Sequence, residues 1–466
     1  MERDKSLTVR AATFIACAGL SCVCVTAGAE QAAETVANVD VIEAAPADLA
    51  VQSSQARSRG LFADGHFGIE LRSYTDYLHN AGTRARRAWV GSTQARYESG
   101  FSTGLIGSGF DAALFGALKF DGGMGAGNMV HVDKNGGGAN RLAWGYPGTY
   151  DVKARISETV AKFGLHAVSN PFLEPHDNRA LPPTFLGVSL ASREWRNVTL
   201  QAGSFTKVNA RGHTSLSSLS TSYGGVNFDR LSYLGGVWDY SSNGSAALFA
   251  DEAEDVWRQY YASVQQSIGR TESVKLTGFA NLYATRDTGT ARQGPIDTKT
   301  FSVALTAQHG PHALLLGYQR VLGDEFFDYV NETAGDYLAN SMDVDYNAPH
   351  EQSLQLRYMF DGKYANLPGF SAMLWAQQGW GADGSAVARD PGRAGTAAGT
   401  LYLRNGQPVH GRHHEFGVVQ SYMVQGGRFK HLKFQLSAMW HVGSTYYPDP
   451  TGQVYRLVMT LPISVF

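Results

Sequence analysis

Cysteine is nearly missing from this 466-residue chain: Cys17, Cys22 and Cys24 are the three it has, all close to the amino terminus. If that end is removed, disulfides and thiolate chemistry are unavailable to the rest. Charge is scarce and balanced. Lys and Arg number 39 against 41 Asp and Glu, for a formal net charge of −2, so the basic stripe that nucleic acid demands is lacking and no nucleic-acid partner is expected. Long apolar runs are lacking too, since beyond the amino terminus no stretch reaches the roughly 20 apolar residues of a spanning helix. A role in a bilayer then falls to strands. They must close into a barrel, because hydrocarbon satisfies no backbone N–H or C=O group and an open sheet leaves its edges unpaired.

What is present begins with Arg3, Lys5 and Arg10, followed by a small, apolar run from Ala11 to Thr26 that ends in Ala27-Gly28-Ala29 before Glu30. This reads as a secretory signal, residues 1–29. Residues 30–60, rich in Ala, Glu and Gln without period, read as a flexible, solvated leader. From residue 61 to 466 the pattern changes to short segments whose alternate residues are apolar or aromatic. Trp89, Thr93 and Tyr97 oppose Gln94, Arg96 and Glu98. Val152, Ala154 and Ile156 oppose Lys153 and Arg155, and Leu354, Leu356, Tyr358 and Phe360 oppose Gln355 and Arg357. Leu436 and Trp440 oppose Gln435, Ser437 and His441, and Tyr455 to Val465 alternate with Arg456, Thr460 and Ser464.

Alternation alone suits a soluble sandwich as well. The secretory signal, the aromatic residues toward segment ends, the mixed-sign polar face with glycine and the terminal Phe466 favour an all-β, transmembrane antiparallel barrel. About eighteen segments are countable, centred near Leu71, Thr93, Phe110, Ala154, Phe163, Val188, Gln201, Leu234, Leu248, Ala262, Phe279, Val303, Leu316, Leu356, Leu374, Val418, Leu436 and Met459, an even number as such barrels require. Tight links such as Arg196-Asn197 alternate with long ones such as Asp324 to Glu351, the pattern of short periplasmic turns and long outer loops. A lumen of that size is a channel, not a packed core.

Four stretches carry a more specific signal. Asp151-Val152-Lys153-Ala154-Arg155-Ile156-Ser157, Asn178-Arg179-Ala180-Leu181-Pro182, Gly317-Tyr318-Gln319-Arg320-Val321-Leu322-Gly323-Asp324 and Tyr337-Leu338-Ala339-Asn340-Ser341 resemble, in order, the OprD family of substrate-specific outer-membrane channels. The likeness runs from about Phe62 to Phe466. It implies an eighteen-stranded barrel, an inward third loop, a narrow eyelet, and a ladder of arginines and lysines that leads small organic acids, aromatic acids or amino acids through the pore.

Residues 170–183 hold four prolines, whose fixed φ stiffens a loop that has to keep a constriction open. Arg179 matches the family's eyelet arginine, with His176 beside it. Asp324, Asp336 and Asp345, with Asp343, are candidates for an opposing acidic wall. Arg72, Arg96, Lys153, Arg155, Arg357, Lys433 and Arg456 are the ladder candidates; otherwise they keep the lumen wet and pair with neighbours such as Glu70 and Glu98. The sequence departs from the family where inward arginine pairs are expected: it has Trp375 with Gln377 and Gln378, and Gln435 with Ser437, with Met373 and Met439 nearby. Trp375 is thus expected as an aromatic patch in the lumen.

No metal or other cofactor is expected. His410, His413, His414 and Glu415, read as a loop, lack the spacing of a metal site. The Gly122–Gly127 run lacks the Lys-Ser/Thr of a P-loop, and no Gly-x-Ser-x-Gly elbow is present, so no enzyme chemistry is read here. The expected partners are outer-membrane lipid, small solutes and, at most, a weak homo-oligomer. The expected function is passive, solute-selective passage across the outer membrane. The competing reading is a surface barrel used as an adhesin or loop-borne enzyme, separable by bilayer conductance.

Overall fold

The computed structural model describes residues 53–83, 85–120, 143–333, 337–393 and 395–466. Eighteen antiparallel strands make the wall: β1 (His66–Asn80), β2 (Arg86–Glu98), β3 (Ile106–Lys119), β4 (Ala143–Ile156), β5 (Thr159–His166), β6 (Thr184–Ser192), β7 (Val198–Asn209), β8 (Leu231–Ser241), β9 (Gly244–Ala253), β10 (Trp257–Gly269), β11 (Lys275–Asp287), β12 (Asp297–His309), β13 (His312–Leu322), β14 (Gln352–Asp361), β15 (Phe370–Asp383), β16 (His410–Met423), β17 (Lys433–Gly443) and β18 (Gly452–Ser464). Each pairs with its sequence neighbour, and β1 pairs with β18 from Gly68↔Ser464 to Asn80↔Gly452, which closes the sheet. The signal and the leader up to residue 52 lie outside the described residues, as do residues 121–142 and Asp336.

Period-two alternation decides which side chains meet lipid. Along β3, Phe110, Leu114 and Leu118 are exposed while Ala113, Phe115 and Ala117 are buried. Along β4, Val152 and Ile156 are exposed opposite Lys153 and Arg155. Apolar groups on the outside and polar groups inside invert a soluble protein's order, the arrangement a hydrocarbon surround selects. Aromatic rings gather at both rims. Near the periplasmic rim Phe67 and Tyr97 stand 5.8 and 6.5 Å from the ring of Phe466, and near the outer rim Trp89 meets Phe120 at 5.0 Å and Tyr455 meets Tyr77 at 6.0 Å.

Among the described residues no helix is long and apolar enough to cross a membrane. The polypeptide inside the barrel comes from loops: L3 (residues 167–183), L4 (residues 210–230) and L7 (described over residues 323–333 and 337–351) all send backbone into the lumen. L9 (residues 444–451) caps part of the outer mouth. The end of the leader is docked instead of solvated. The Gln55 amide donates to the carbonyls of Ser102 (2.9 Å) and Gly104 (3.0 Å), and the Ser54 hydroxyl to Glu158 (2.5 Å), at the periplasmic turns after β2 and β4.

Candidate solute-binding constriction

L3 is held inward at both ends. Asn170 turns the chain by accepting from the N–H groups of Phe172 (2.9 Å) and Leu173 (3.0 Å). That turn sinks Phe172 and Leu173 into a cluster with Tyr261, Tyr283 and Phe327. Eight residues later Ala180 and Leu181 bury against Tyr74, Val90, Phe115 and Tyr146 on the opposite wall. Between these anchors the wall takes up the loop's carbonyls. The Tyr283 hydroxyl donates to Pro171 (3.0 Å), Tyr74 to Asn178 (2.7 Å), Ser92 to Ala180 (2.6 Å) and Arg72 to Arg179 (3.1 Å). A buried carbonyl left without a donor would cost of order 1–3 kcal/mol, so these bonds fix the path.

L7 meets L3 across the lumen. The His176 N–H donates to the Glu332 carbonyl (3.2 Å), and Pro175 bridges Thr333. Arg211 of L4 joins them, donating from its backbone N–H and its Nε to Glu332 at 2.8 Å each and from Nη1 to Asn178. L7 then runs along the wall: the Ala339 N–H donates to Ser302 (2.9 Å), that of Val344 to Glu415 (2.8 Å), and Asp343 accepts from Arg456 (2.6 Å). Arg456 also donates to Asp76 at 3.2 Å, and Arg86 pairs with the same Asp76 at 2.5 Å.

The narrow region thus collects Arg72, Arg86, Arg179, Arg211 and Arg456. Burial, then Arg211 and Arg86, bring the Arg179 guanidinium down to about 10, still charged at neutral pH. The same burial, with Arg211, Arg179 and Arg456, holds His176 well below its ordinary value, so it is neutral. Glu174, on the L3 side of the cavity beneath, is pushed up to about 7 by burial against hydrogen bonds from Ser169 and Tyr337.

Not every residue proposed from sequence reaches this place. Asp324 sits at the outer end of β13, exposed and 2.8 Å from His350. Asp345 is half-buried between the hydroxyls of Tyr223 (2.8 Å) and Tyr329 (2.6 Å), away from the arginines. The acid that does face them is Asp343. Arg72 is no open rung, because Asp177 takes both of its Nη atoms at 2.6 and 2.7 Å. Arg357 points inward but lies beneath L7, 1% exposed, donating to the Ala339 carbonyl (3.4 Å) and Met342 Sδ (2.8 Å). Trp375 is inward but covered as well. Its Nε1 donates to Glu415, and its ring lies among Met373, Val419 and Met439 with Met342 and Val344 of L7 against it. Gln378 turns the other way and donates to the His413 carbonyl (2.9 Å). His410 and His414 are strand residues on the opposite side of β16 from His413 and Glu415.

Beneath L3 a cavity of about 950 Å³ opens toward the periplasm, lined among others by Arg96, Lys153, Arg155, Asp111 and Glu174. Lys153 and Lys162 both pair with Asp111, at 2.5 and 3.0 Å. Arg96 donates to Gln94 and lies 5.3 Å from the Phe115 ring centre. Arg155 donates to Gln55 at 3.0 Å and stacks 4.1 Å over Phe101. Lys433 opens β17 at the periplasmic rim, half-buried opposite Thr460. Strand parity extends to Arg86, which opens β2 on the same face as Gln94 and Arg96, whereas Arg211, Glu332 and Asp177 lie in loops without a period and escape it.

A closed barrel with a lipid-facing outer surface and a lumen narrowed by its own loops is a porin. A family model described as outer membrane porin, OprD family, matches residues 59–465, and the chain belongs to that family. Porin D of Pseudomonas aeruginosa is 31% identical over 434 residues, 89% of this chain and 94% of that one. The crystal structure of OccD3 (OpdP) from Pseudomonas aeruginosa superposes with a TM-score of 0.78 at 35% identity, covering 89% of this chain and 95% of the other. The structure of OpdK from the same organism with vanillate gives 0.77 at 26% identity, over 87% of this chain and 100% of the other. The chain is accordingly an outer-membrane protein for the uptake of small solutes.

Proposed function

We propose that this porin passes small carboxylate-bearing solutes by passive diffusion, with Arg179 as the cation that meets the carboxylate at the narrowest point. One observation carries the reading. Arg72, Arg86, Arg211 and Arg456 are each ion-paired, whereas Arg179 has no carboxylate within 4.0 Å among the described residues and donates only to the Asn178 carbonyl, at 3.5 Å. A unit charge about 4 Å from a carboxylate is worth about 1 kcal/mol in water and about 4 kcal/mol at a protein-surface dielectric. Arg96 and Arg155, which likewise have no carboxylate partner among the described residues, then offer shallow sites on the periplasmic side, so that the anion leaves by weak steps.

The vanillate bound by OpdK is an aromatic carboxylate, which supports aromatic acids within the range of small organic acids and amino acids. Export through a signal cleaved after Ala29 belongs to the same reading. The test is flux of benzoate and of uncharged benzamide into proteoliposomes. Arg179→Ala should lower the benzoate-to-benzamide ratio by roughly tenfold for each 1.4 kcal/mol lost. An unchanged ratio in the folded variant would mean that the channel sorts by size alone.

A further inference from the structure

At the outer mouth, away from the arginines, a buried chain of titratable groups joins two loops to the wall. His441 Nδ1 is 2.9 Å from the Pro450 carbonyl of L9, which can only accept, so Nδ1 carries the proton and the neutral ring accepts at Nε2. That Nε2 is 2.8 Å from His413 Nδ1, which must therefore donate. His413 Nε2 is left facing Glu351 Oε1 of L7 at 2.9 Å without the alignment of a hydrogen bond, so the two groups touch but share no proton. Tyr346 and Tyr447 enclose the His413 ring, at 4.1 and 3.9 Å between centres. The Tyr447 hydroxyl donates to Glu351 at 3.0 and 3.1 Å, and the Ala348 N–H to the same carboxyl at 3.1 Å. His413 and Glu351 are both fully buried.

We propose that Glu351, His413 and His441 form a proton-dependent latch that fastens L7 and L9 over the outer mouth and loosens as the external medium turns alkaline. The proton on the Glu351 carboxyl is what lets the two buried groups sit in contact. Without it a carboxylate faces an imidazole lone pair in a site closed to water.

Burial pushes Glu351 up to about 8 and its neighbour Asp449 of L9 to about 7. The other groups facing the latch are Asp345, held by Tyr223 and Tyr329, Arg404, which faces Asp449, and His414 and Asp343, which lie within electrostatic reach of His441. Lifting L7 and L9 returns all four titrating groups to water, where carboxyls titrate near about 4 and imidazoles near about 6.5. Between those values the protons lost by Glu351 and Asp449 on opening are regained by His413 and His441, so opening hardly depends on pH. Above about 6.5 the histidines are neutral in either state and the acids alone count. Opening should then rise at least tenfold per pH unit up to about 8 and level off beyond it.

Because L7 carries Asp343 to the constriction, each opening should appear as a step in current. Single-channel recording with only the outer bath varied from pH 5.5 to 9 reads the step frequency. The wild-type chain is expected flat below about 6.5 and rising above it. Glu351→Gln retains only Asp449 as a titrating acid, so its rise should end near about 7. Tyr447→Phe keeps the ring stack but withdraws a donor from the carboxylate, so its rise should continue beyond about 8. A flat wild-type profile, or a Glu351→Gln profile that matches the wild type through pH 8, overturns the latch. Should Glu351→Gln fail to fold, a Tyr447→Phe plateau unmoved from the wild type's does the same.

Discussion

Arg72 of the first strand and Asp177 of the third loop are joined by two parallel hydrogen bonds of 2.6 and 2.7 Å. The fork geometry fixes direction as well as distance. An inward arginine on the wall is therefore used to hold the loop that narrows the pore, and the neighbouring Arg179 is left free of a carboxylate.

Breaking that pair tests the first of these roles. Asp177→Ala should free Arg72 and slacken L3, raising single-channel conductance and its variance while the barrel stays heat-modifiable on a gel, because the strand ladder is untouched. A folded variant with wild-type conductance would show that Phe172, Leu173 and Leu181 hold the loop without help.

Asp343 is the acid that L7 brings to Arg456, and removing it leaves Arg456 with Asp76 alone. Asp343→Asn should increase the anion-to-cation permeability ratio about threefold to tenfold, the consequence of a change of about 1 kcal/mol in the eyelet field. Reversal potentials in a salt gradient give the ratio directly. Asp324→Asn, at the outer rim, should leave it unchanged.

Glu174 makes the inner cavity sensitive to pH. Its folded carboxyl keeps a proton up to about 7, while the unfolded group releases one near 4.5. The folded state binds the extra proton in that window, so this group's contribution to stability falls as pH rises from about 4.5 to about 7 and is level above. Above about 7 the carboxylate adds a negative charge below the eyelet, so anion selectivity should decline between pH 6 and 8. Glu174→Gln should abolish that decline.

Gly417 tests the packing around Trp375. A Cβ at residue 417 would fall on the Trp375 ring, which is fixed by its bond to Glu415 and by Met373 and Met439. Gly417→Ala should cost roughly 1–3 kcal/mol, as overpacking does, visible as a lower urea midpoint for refolded protein in detergent. Gly278→Ala, where a Cβ meets nothing within 4 Å, is the control.

The wall was largely legible in the sequence, and each of the eighteen segment centres lies within its strand. The reason is physical: lipid on one side and water on the other impose a period of two on every strand, independently of any distant contact. The same parity correctly turns Arg357 and Trp375 inward. It cannot say whether a loop comes in to cover them, and L7 does. Nor could the sequence rank Asp324, Asp343 and Asp345, three loop acids of equal local character. Asp343 meets Arg456 because the Ala339 and Val344 amides tie L7 to the wall on either side of it. Arg179 was accessible only through its resemblance to a family motif.

The two halves of the constriction hang from opposite sides of the barrel's seam. L3 is tied to β1 through Arg72 and Tyr74, L7 is tied to β18 through Arg456, and Asp76 and Arg456 are register partners across the β1–β18 junction. The filter is thus assembled by the same event that zips the cylinder shut. A chain lacking its final strand would lack Arg456, and with it the tie between Asp343 of L7 and Asp76 of β1, so closing the cylinder also completes this contact of the filter.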